Sequence, residues 1–311
     1  MPTVALVSAD AALPLDEDMP PLVAALREID VEVATPSWDD PAVEWSSFDL
    51  AVLRSTWDYV DRIDEFLAWA RRCGTQTCLA NAADVVEWNT DKHYLSHLHR
   101  MGVDVVPTRF VEPGQDAAGE LDRFLAGGTD SISAGVACAF DEFVVKPSIG
   151  AGSRDAARYR RGDRARALEH LARLVQSERR SSMLQPYLPS VDALGETAMV
   201  YLGGEPSHAI RKGPLLRLGD GLVEGLFAPE DITPRRASDE ERALAAAAYA
   251  AMPFEAPLYA RIDMIRAQDG RPVVLELELT EPSLFLAHAP GSAERLARAI
   301  VARCKRARLG V

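Results

Sequence analysis

The 311-residue sequence is poor in several things, and each shortage removes a class of protein. It has four cysteines, Cys73, Cys78, Cys138 and Cys304. Their spacing is not the double pair of a zinc site, so reduced, partly buried thiols are expected. No apolar run approaches the ~20 residues that a membrane span needs. The opening stretch MPTVALVSADAALPLDEDMP lacks a basic leader and runs at once into acids. No signal peptide is therefore expected, and a cytoplasmic protein without membrane contact is. Positive charge is also short: 34 Lys and Arg against 47 Asp and Glu give a formal net charge of −13. Such a surface repels nucleic acid, and no basic, aromatic-interleaved stripe offsets it. A polyphosphate ligand would need a locally basic site. GxxxxGK[ST], the Rossmann glycine fingerprint and GxSxG are all absent. The six histidines show no triad spacing. His93 and His97 stand at i, i+4 without a third ligand, which fits a solvated helix face.

What is present is ample core material: 48% apolar residues and 26% charged ones. That is the profile of a globular protein of two or three domains. Residues 3–8 (TVALVS) look like a buried first strand of a parallel sheet. A helix at 19–29, strands at 31–35 and 48–55 and a helix at 61–72 complete the alternation of a doubly wound domain over residues 1–88. The segment NTDKHYLSHLHRMG opens on the N-cap types Asn89, Thr90 and Asp91 and ends at Gly102, so it is predicted as a helix. A looser stretch at 112–140 precedes strand 142–146. SMLQPYL follows at 182–188, then a strand pair near 196–211, an alanine-rich helix at 238–251 and a last helix at 292–307. The expected fold class is α/β, turning α+β in the C-terminal part. The expected division is an N-terminal domain (1–88), a central subdomain (89–187) and a C-terminal subdomain (188–311).

The chemistry is densest in LYARIDMIRAQDGRPVVLELELTEPSLF. Residues 259–266 alternate, with Ala260, Ile262 and Met264 on one face and Arg261 and Asp263 on the other. Residues 273–279 set Val273, Leu275, Leu277 and Leu279 against Glu276 and Glu278. Asp269-Gly270 between them is a strong hairpin signal. A two-residue loop there makes every facing pair sum to 539, so Asp263 faces Glu276 and Arg261 faces Glu278. Facing carboxylates are unfavourable unless something positive neutralises them. Oxygen ligands of this kind suit Mg²⁺. The alternative is an ordinary solvent face.

Strand EFVVK ends at Lys146-Pro147 and runs into Ser148-Ile149-Gly150-Ala151-Gly152-Ser153. Such a loop can turn backbone N–H groups toward phosphate, and a strand-end lysine points out of the sheet at a ligand. Lys92 gains nothing from the helix dipole near a helix start. By position alone it fits either a ligand contact or a solvated lysine.

These motifs together resemble the ATP-grasp superfamily. They are Lys92 in NTDKHYL, Lys146 in FVVKPSIGAGSR, the QPYL segment, Glu196 in GETAMVYLGGE, Asp263 in RIDMI, and Glu276 with Glu278 in VLELELTEP. They occur in family order over nearly the whole chain. The resemblance implies an ATP-grasp fold whose two later subdomains clamp ATP. Lys92 and Lys146 would contact the phosphates, and residues 148–153, with Ser148, Gly150, Gly152 and Ser153, would close over them. Gln185, with the Leu188 backbone beside it, would receive adenine, Asp192 would bind the ribose hydroxyls, and Tyr187 and Glu196 would also belong to the nucleotide site. Asp263, Glu276 and Glu278 would hold Mg²⁺, two ions in the family pattern. Two departures stand out. Gln185 occupies a position that is usually acidic, though its amide oxygen can still accept from adenine. Glu278 stands where asparagine is commoner.

LRSTWDY (53–59), SHAIRKGP (207–214) and ELTEPSLFL (278–286) are similar to the O-ureido-serine cyclo-ligase group, whose members close the cycloserine ring. That likeness implies ATP-dependent cyclisation of O-ureido-D-serine to D-cycloserine. The carboxylate would be activated as an acyl phosphate and attacked by a nitrogen of the same molecule. Arg261 and Arg211 are the candidates for phosphate and oxyanion contacts. A small amino-acid-like substrate is expected at Arg54, Ser55, Thr56, Trp57, Asp58 and Tyr59, which follow a strand where α/β sheets place ligands, and at Ser283. Asp58 would meet the ammonium. Packing at a domain boundary is the competing account of these residues. An intermolecular carboxylate–amine ligase and a non-catalytic ATP-binding sensor are the alternative functions. A homodimer is an ordinary expectation, although no interface motif supports it.

Overall fold

The computed structural model describes residues 1–127, 140–219 and 231–309. Strand β1 (Thr3–Ser8), helix α1 (Met19–Glu28), strands β2 (Glu32–Ala34) and β3 (Leu50–Ser55), helix α2 (Ile63–Gln76) and strand β4 (Leu79–Ala80) form the first unit. Its four strands are parallel in the order β2-β1-β3-β4. Every residue of β3 is buried, as an apolar strand covered on both faces should be. Helix α2 turns Phe66, Trp69 and Cys73 inward against Trp38 and Trp45.

The predicted helix at 89–102 is the shorter α4 (Tyr94–Arg100); Asn89 instead ends a preceding helix, α3 (Ala83–Asn89), and the turn between the two carries Lys92. Asn89 is not a cap. Its amide nitrogen donates to the Leu277 carbonyl (2.8 Å) and its oxygen accepts from Leu279 N (2.7 Å). Buried backbone groups beside a strand end need such partners, and they outcompete capping.

The second unit holds β5 (Arg109–Val111), α5 (Ala117–Leu125), β6 (Glu142–Pro147), β7 (Ala157–Arg160), α6 (Arg164–Ala172) and β8 (Ser182–Pro186). Its antiparallel sheet runs β5-β8-β6-β7. Helix α5 corrects the expectation of a loose 112–140 stretch. Asp116 caps it by accepting from Ala118 N (3.1 Å), and Leu121 and Phe124 enter the core despite Gly119. Residues 128–139, with Cys138, lie outside the described residues. Cys73, Cys78 and Cys304 are free thiols.

The third unit comprises α7 (Ser190–Leu194), β9 (Glu196–Leu202), β10 (Glu205–Lys212), β11 (Ile232–Arg235), α8 (Asp239–Ala250), β12 (Tyr259–Arg266), β13 (Pro272–Glu278) and α9 (Ser292–Leu309). Its sheet runs β11-β10-β9-β12-β13, all antiparallel. Ser238 and Glu241 form a capping box that starts α8. Helices α4 and α8 share a core with Ile262, Met264, Val274 and Leu277. Helix α9 returns to the first unit, where Leu296 and Ile300 pack with Leu6, Leu22 and Leu26.

The β12–β13 hairpin keeps the expected pairs Arg261↔Glu278 and Asp263↔Glu276 but reaches them differently. Ala267 N donates to Arg271 O (2.8 Å), so the loop has three residues, with Gly270 at φ +84°. That is the left-handed glycine of a three-residue hairpin. Pairs near the turn are therefore slipped by one, down to Met264↔Val274. A bulge at Leu275 restores the register. As a result Val273 and Leu275 do not share the face of Leu277 and Leu279. They pack with Val144, Tyr187 and Ile265, while Val274 takes the place assigned to them. Among the described residues no helix is long and apolar enough to cross a membrane.

Candidate active site

A cleft of about 1580 Å³, measured with its open mouth, lies between the second and third sheets, and the loop after β3 closes one end. Lys146 reaches it from the end of β6 and Lys212 from the end of β10. Lys92 enters from the turn before α4, and Arg261 and Asp263 from alternate positions of β12. Among the described residues, five cationic side chains (Lys92, Lys146, Arg154, Lys212, Arg261) and five anionic ones (Glu196, Asp263, Glu276, Glu278, Glu281) line it. An equal mixture of signs in one cleft is what a polyphosphate and its counter-cation together require.

The neutralising partners of the carboxylate hairpin are these cations. Arg261 grips Asp263 through Nε (2.9 Å) and Nη2 (2.9 Å), and Lys212 Nζ reaches the same carboxylate at 3.0 Å. Arg261 also pairs with Glu278. Lys146 Nζ donates to Glu276 (2.7 Å). Burial works against ionisation of Asp263, but Arg261 and Lys212 outweigh it and its pKa falls. Burial is likewise outweighed at Glu276, which Lys146 and Lys92 hold well below the usual carboxylate range. At Glu278 burial prevails over Arg261, with repulsion from Asp263 adding to it, and the pKa rises. Glu276 and Glu278 keep 21% and 28% of their side chains exposed, against 2% for Asp263.

The loop after β6 arches over this cluster. Lys92 Nζ donates to the Gly150 carbonyl (2.9 Å), and Lys92 N to the Ser148 carbonyl (3.0 Å). Gly150, Gly152 and Ser153 line the cleft, whereas Ser148 is buried behind it. Gly152 and Ser153 both have φ near +60°, and Ser153 bears the strain of that conformation without being glycine. At the apolar end Gln185, Tyr187 and Leu188 line the wall. The Gln185 amide nitrogen donates to Thr108 Oγ1 (2.8 Å), which leaves its oxygen as the remaining acceptor. Glu196 faces the cleft and meets Lys212 (3.4 Å). Asp192 stands off the lining, held by Arg158 (2.9 Å) and the Tyr187 hydroxyl (2.6 Å), with 45% of its side chain exposed.

Several expected contacts are placed elsewhere. Arg211 does not line the cleft. It lies on the other face of β10, donating to the Leu194 carbonyl (3.1 Å) and to Asp231 (3.1 Å). Its neighbour Lys212 is the inward residue, on the face of Ile210, and that phase was readable from the buried isoleucine. Arg54 is 1% exposed and is spent on Asp18 (3.3 Å) and the Pro282 carbonyl (3.1 Å). Ser55 bonds Ser8 (2.7 Å between hydroxyls), and Thr56 is fully buried. Asp58 accepts from Trp38 Nε1 (2.8 Å) and Arg62 Nη2 (2.7 Å), so it is engaged away from the cleft. From that segment Trp57 and Tyr59 line the cleft, as does Ser283. Glu281 also lines it, and it was missed because nothing in ELTEPS distinguishes it from a loop acid. Among the described residues no three His, Cys, Asp or Glu side chains are grouped as a ready metal cage, since each hairpin carboxylate is drawn to a cation.

Residues 4–81 match the family model described as the N-terminal domain of the D-cycloserine synthetase DcsG. The cycloserine biosynthesis protein DcsG of Streptomyces lavendulae is 40% identical over 98% of this chain and all of its own length. The crystal structure of D-cycloserine synthetase DcsG superposes with a TM-score of 0.88 at 39% identity, covering 97% of this chain and 99% of that one. The ATP-grasp ligase PsnB, solved with a minimal precursor, gives a TM-score of 0.62 at 18% identity over 97% of this chain and 99% of its own. That distant likeness bears on the fold alone, which is the ATP-grasp fold expected from the motifs.

Proposed function

The chain belongs to the D-cycloserine synthetase family of ATP-grasp ligases, and from that premise we propose that it uses ATP and magnesium to close O-ureido-D-serine into D-cycloserine. The observation that carries the proposal is the cleft itself, where three strand-borne carboxylates face three strand-borne cations within reach of a glycine loop. Lys92, Lys146 and Lys212 would take the phosphates, with N–H groups of residues 150–153 above them. Gln185 and the Leu188 backbone would receive adenine, and Asp192 the ribose from its exposed edge. The donor set fits Mg²⁺, which binds through one or two carboxylates together with phosphate oxygens. Glu276 and Glu278 would hold it, and Asp263 would join them once Lys212 turns to phosphate. Bound there, the metal neutralises phosphate charge as the γ-phosphoryl group is transferred.

The substrate carboxylate attacks the γ-phosphorus, giving an acyl phosphate and ADP. The nitrogen bonded to oxygen in the same molecule then attacks the carbonyl carbon, and phosphate leaves as the five-membered ring forms. Hydrolysis of the carbamoyl group releases carbon dioxide and ammonia. Tethering the nucleophile supplies the proximity that an intermolecular ligase must obtain by binding. Arg261, buried beside Asp263, would meet charge on the carbonyl or phosphoryl oxygen. Lys212, which lines the cleft where Arg211 does not, would take the part expected of Arg211.

The test is ADP release with Mg-ATP and each enantiomer of O-ureido-serine, with product analysis. ADP and cycloserine formed from the D-enantiomer alone support the proposal. ADP formed only when a second amine is added indicates an intermolecular ligase. Nucleotide binding without turnover across a broad amino-acid panel indicates a sensor.

A further inference from the structure

Resting on the ligase assignment above, we propose that Glu281, backed by Tyr59 and walled by Trp57 and Ser283, is the subsite for the amino nitrogen of the substrate. The expected partner of that nitrogen, Asp58, is already bonded by Trp38 and Arg62. The other acid near this end, Asp18, is buried beneath Arg54 and three backbone N–H groups. Glu281 differs from both. It lines the cleft, its carboxylate accepts from the neutral Tyr59 hydroxyl, and among the described residues no ion pair engages it.

Its place is fixed by design of the loop rather than by a chance rotamer. Trp57 Nε1 donates to the Glu281 carbonyl (3.1 Å), Arg54 Nη2 to the Pro282 carbonyl (3.1 Å), and Arg261 Nη1 to the Ser283 carbonyl (2.9 Å). Three consecutive carbonyls are thus held by side chains from β3, the turn after it and β12. This leaves the carboxylate presented beside Arg261, whose contacts mark the reacting end. A carboxylate held by a phenol and flanked by indole is a receptor for a protonated or hydrogen-bond-donating nitrogen. Burial raises the Glu281 pKa to about 7, only partly offset by the Tyr59 hydrogen bond and by Lys92 and Arg261. A bound ammonium would relieve that cost. The ligand class is a small α-amino acid with its carboxylate toward Arg261 and its amino group toward Glu281.

The experiment compares wild type with Glu281→Gln and Tyr59→Phe, using O-ureido-D-serine and its analogue lacking the amino group. Glu281→Gln should raise KM for the amino acid on the order of 10–100-fold, the loss expected for a charge-assisted contact, with KM for ATP unchanged. Tyr59→Phe should act in the same direction but less. The deamino analogue should be equally poor with wild type and Glu281→Gln. An unchanged amino-acid KM in Glu281→Gln, or a penalty as large for the deamino analogue, overturns the subsite. Binding of ADP to each variant, followed by calorimetry, shows that the variants are folded. If wild type turns over no amino acid at all, the ligase assignment fails, an outcome distinct from failure of the subsite alone.

Discussion

Among the described residues two buried arginine–aspartate pairs, Arg54 with Asp18 and Arg261 with Asp263, share a chemistry and do opposite things. In the first unit Arg54 meets Asp18 at 3.3 Å, and the Asp18 oxygens also accept from Leu284 N (2.5 Å), Phe285 N (3.1 Å) and Leu286 N (2.6 Å). Most of those partners are backbone, so the pair is a fixed clamp between the start of α1 and the segment before α9. In the third unit Arg261 meets Asp263 and also holds the Ser283 carbonyl, but the Asp263 carboxylate itself is met by the charged side chains of a cleft, Arg261 and Lys212, with Glu278 and, one pair along, Lys146 with Glu276 beside it. Side-chain partners can be exchanged for phosphate and metal, whereas backbone partners cannot. The identity of the partner, not the burial of the pair, separates structure from chemistry here.

The largest expected effect lies in the clamp. Asp18→Ala leaves the buried Arg54 charge without its acid and should cost about 3–5 kcal/mol of stability. Urea unfolding should show this, while the folded fraction retains its KM for ATP. A loss of ATP affinity with stability intact would erase the contrast between the two pairs.

Next comes His170, a buried group of the clamp kind in the second unit, whose Nδ1 meets the Tyr159 hydroxyl at 3.0 Å. Burial, aided by the charge of Arg173, lowers its pKa from 6.5 to about 4. Because the folded pKa is depressed, the neutral ring's stability is fully present above pH 6.5 and is lost as pH falls toward 4. The total is about 3 kcal/mol. Unfolding midpoints at pH 7, 5.5 and 4.5 should fall for wild type, and part of that slope should vanish in His170→Gln. An equal slope in both proteins would remove His170 from the account.

A smaller effect separates two adjacent residues of β10. Lys212→Met should lower kcat/KM by about 30-fold, roughly 2 kcal/mol, within the range for a lost hydrogen bond to a charged group. Arg211→Ala, on the opposite face, should stay within about threefold. The reverse ranking would restore Arg211 as the cleft cation.

Much of this was legible in the sequence where one residue type in one phase decides the outcome. The pairing of Asp263 with Glu276 followed from alternation and Asp269-Gly270, and it survived because the three-residue loop and the Leu275 bulge cancel. The bulge itself was not legible, since nothing local marks Leu275 as the extra residue. The face of Leu275 was misjudged for that reason. Asn89 read as a cap because its type caps, while its real partners lie 188 and 190 residues away. Arg54 and Asp58 occupied the right strand end for a ligand, but Asp18 and the Pro282 carbonyl engage the one, and Trp38 with the nearby Arg62 the other. Glu281 was invisible for the converse reason: its significance is its place on the cleft wall with no ion pair among the described residues, which only the assembled cleft shows.

The most direct test of the central claim, that the hairpin carboxylates are a working metal–nucleotide site rather than another clamp, is ATP binding with and without Mg²⁺. Calorimetry on wild type and Glu276→Gln should show magnesium tightening ATP at least about tenfold in wild type, with little gain in the variant. Equal tightening in both proteins, with both folded, would contradict it and return Glu276 to the status of a structural partner for Lys146.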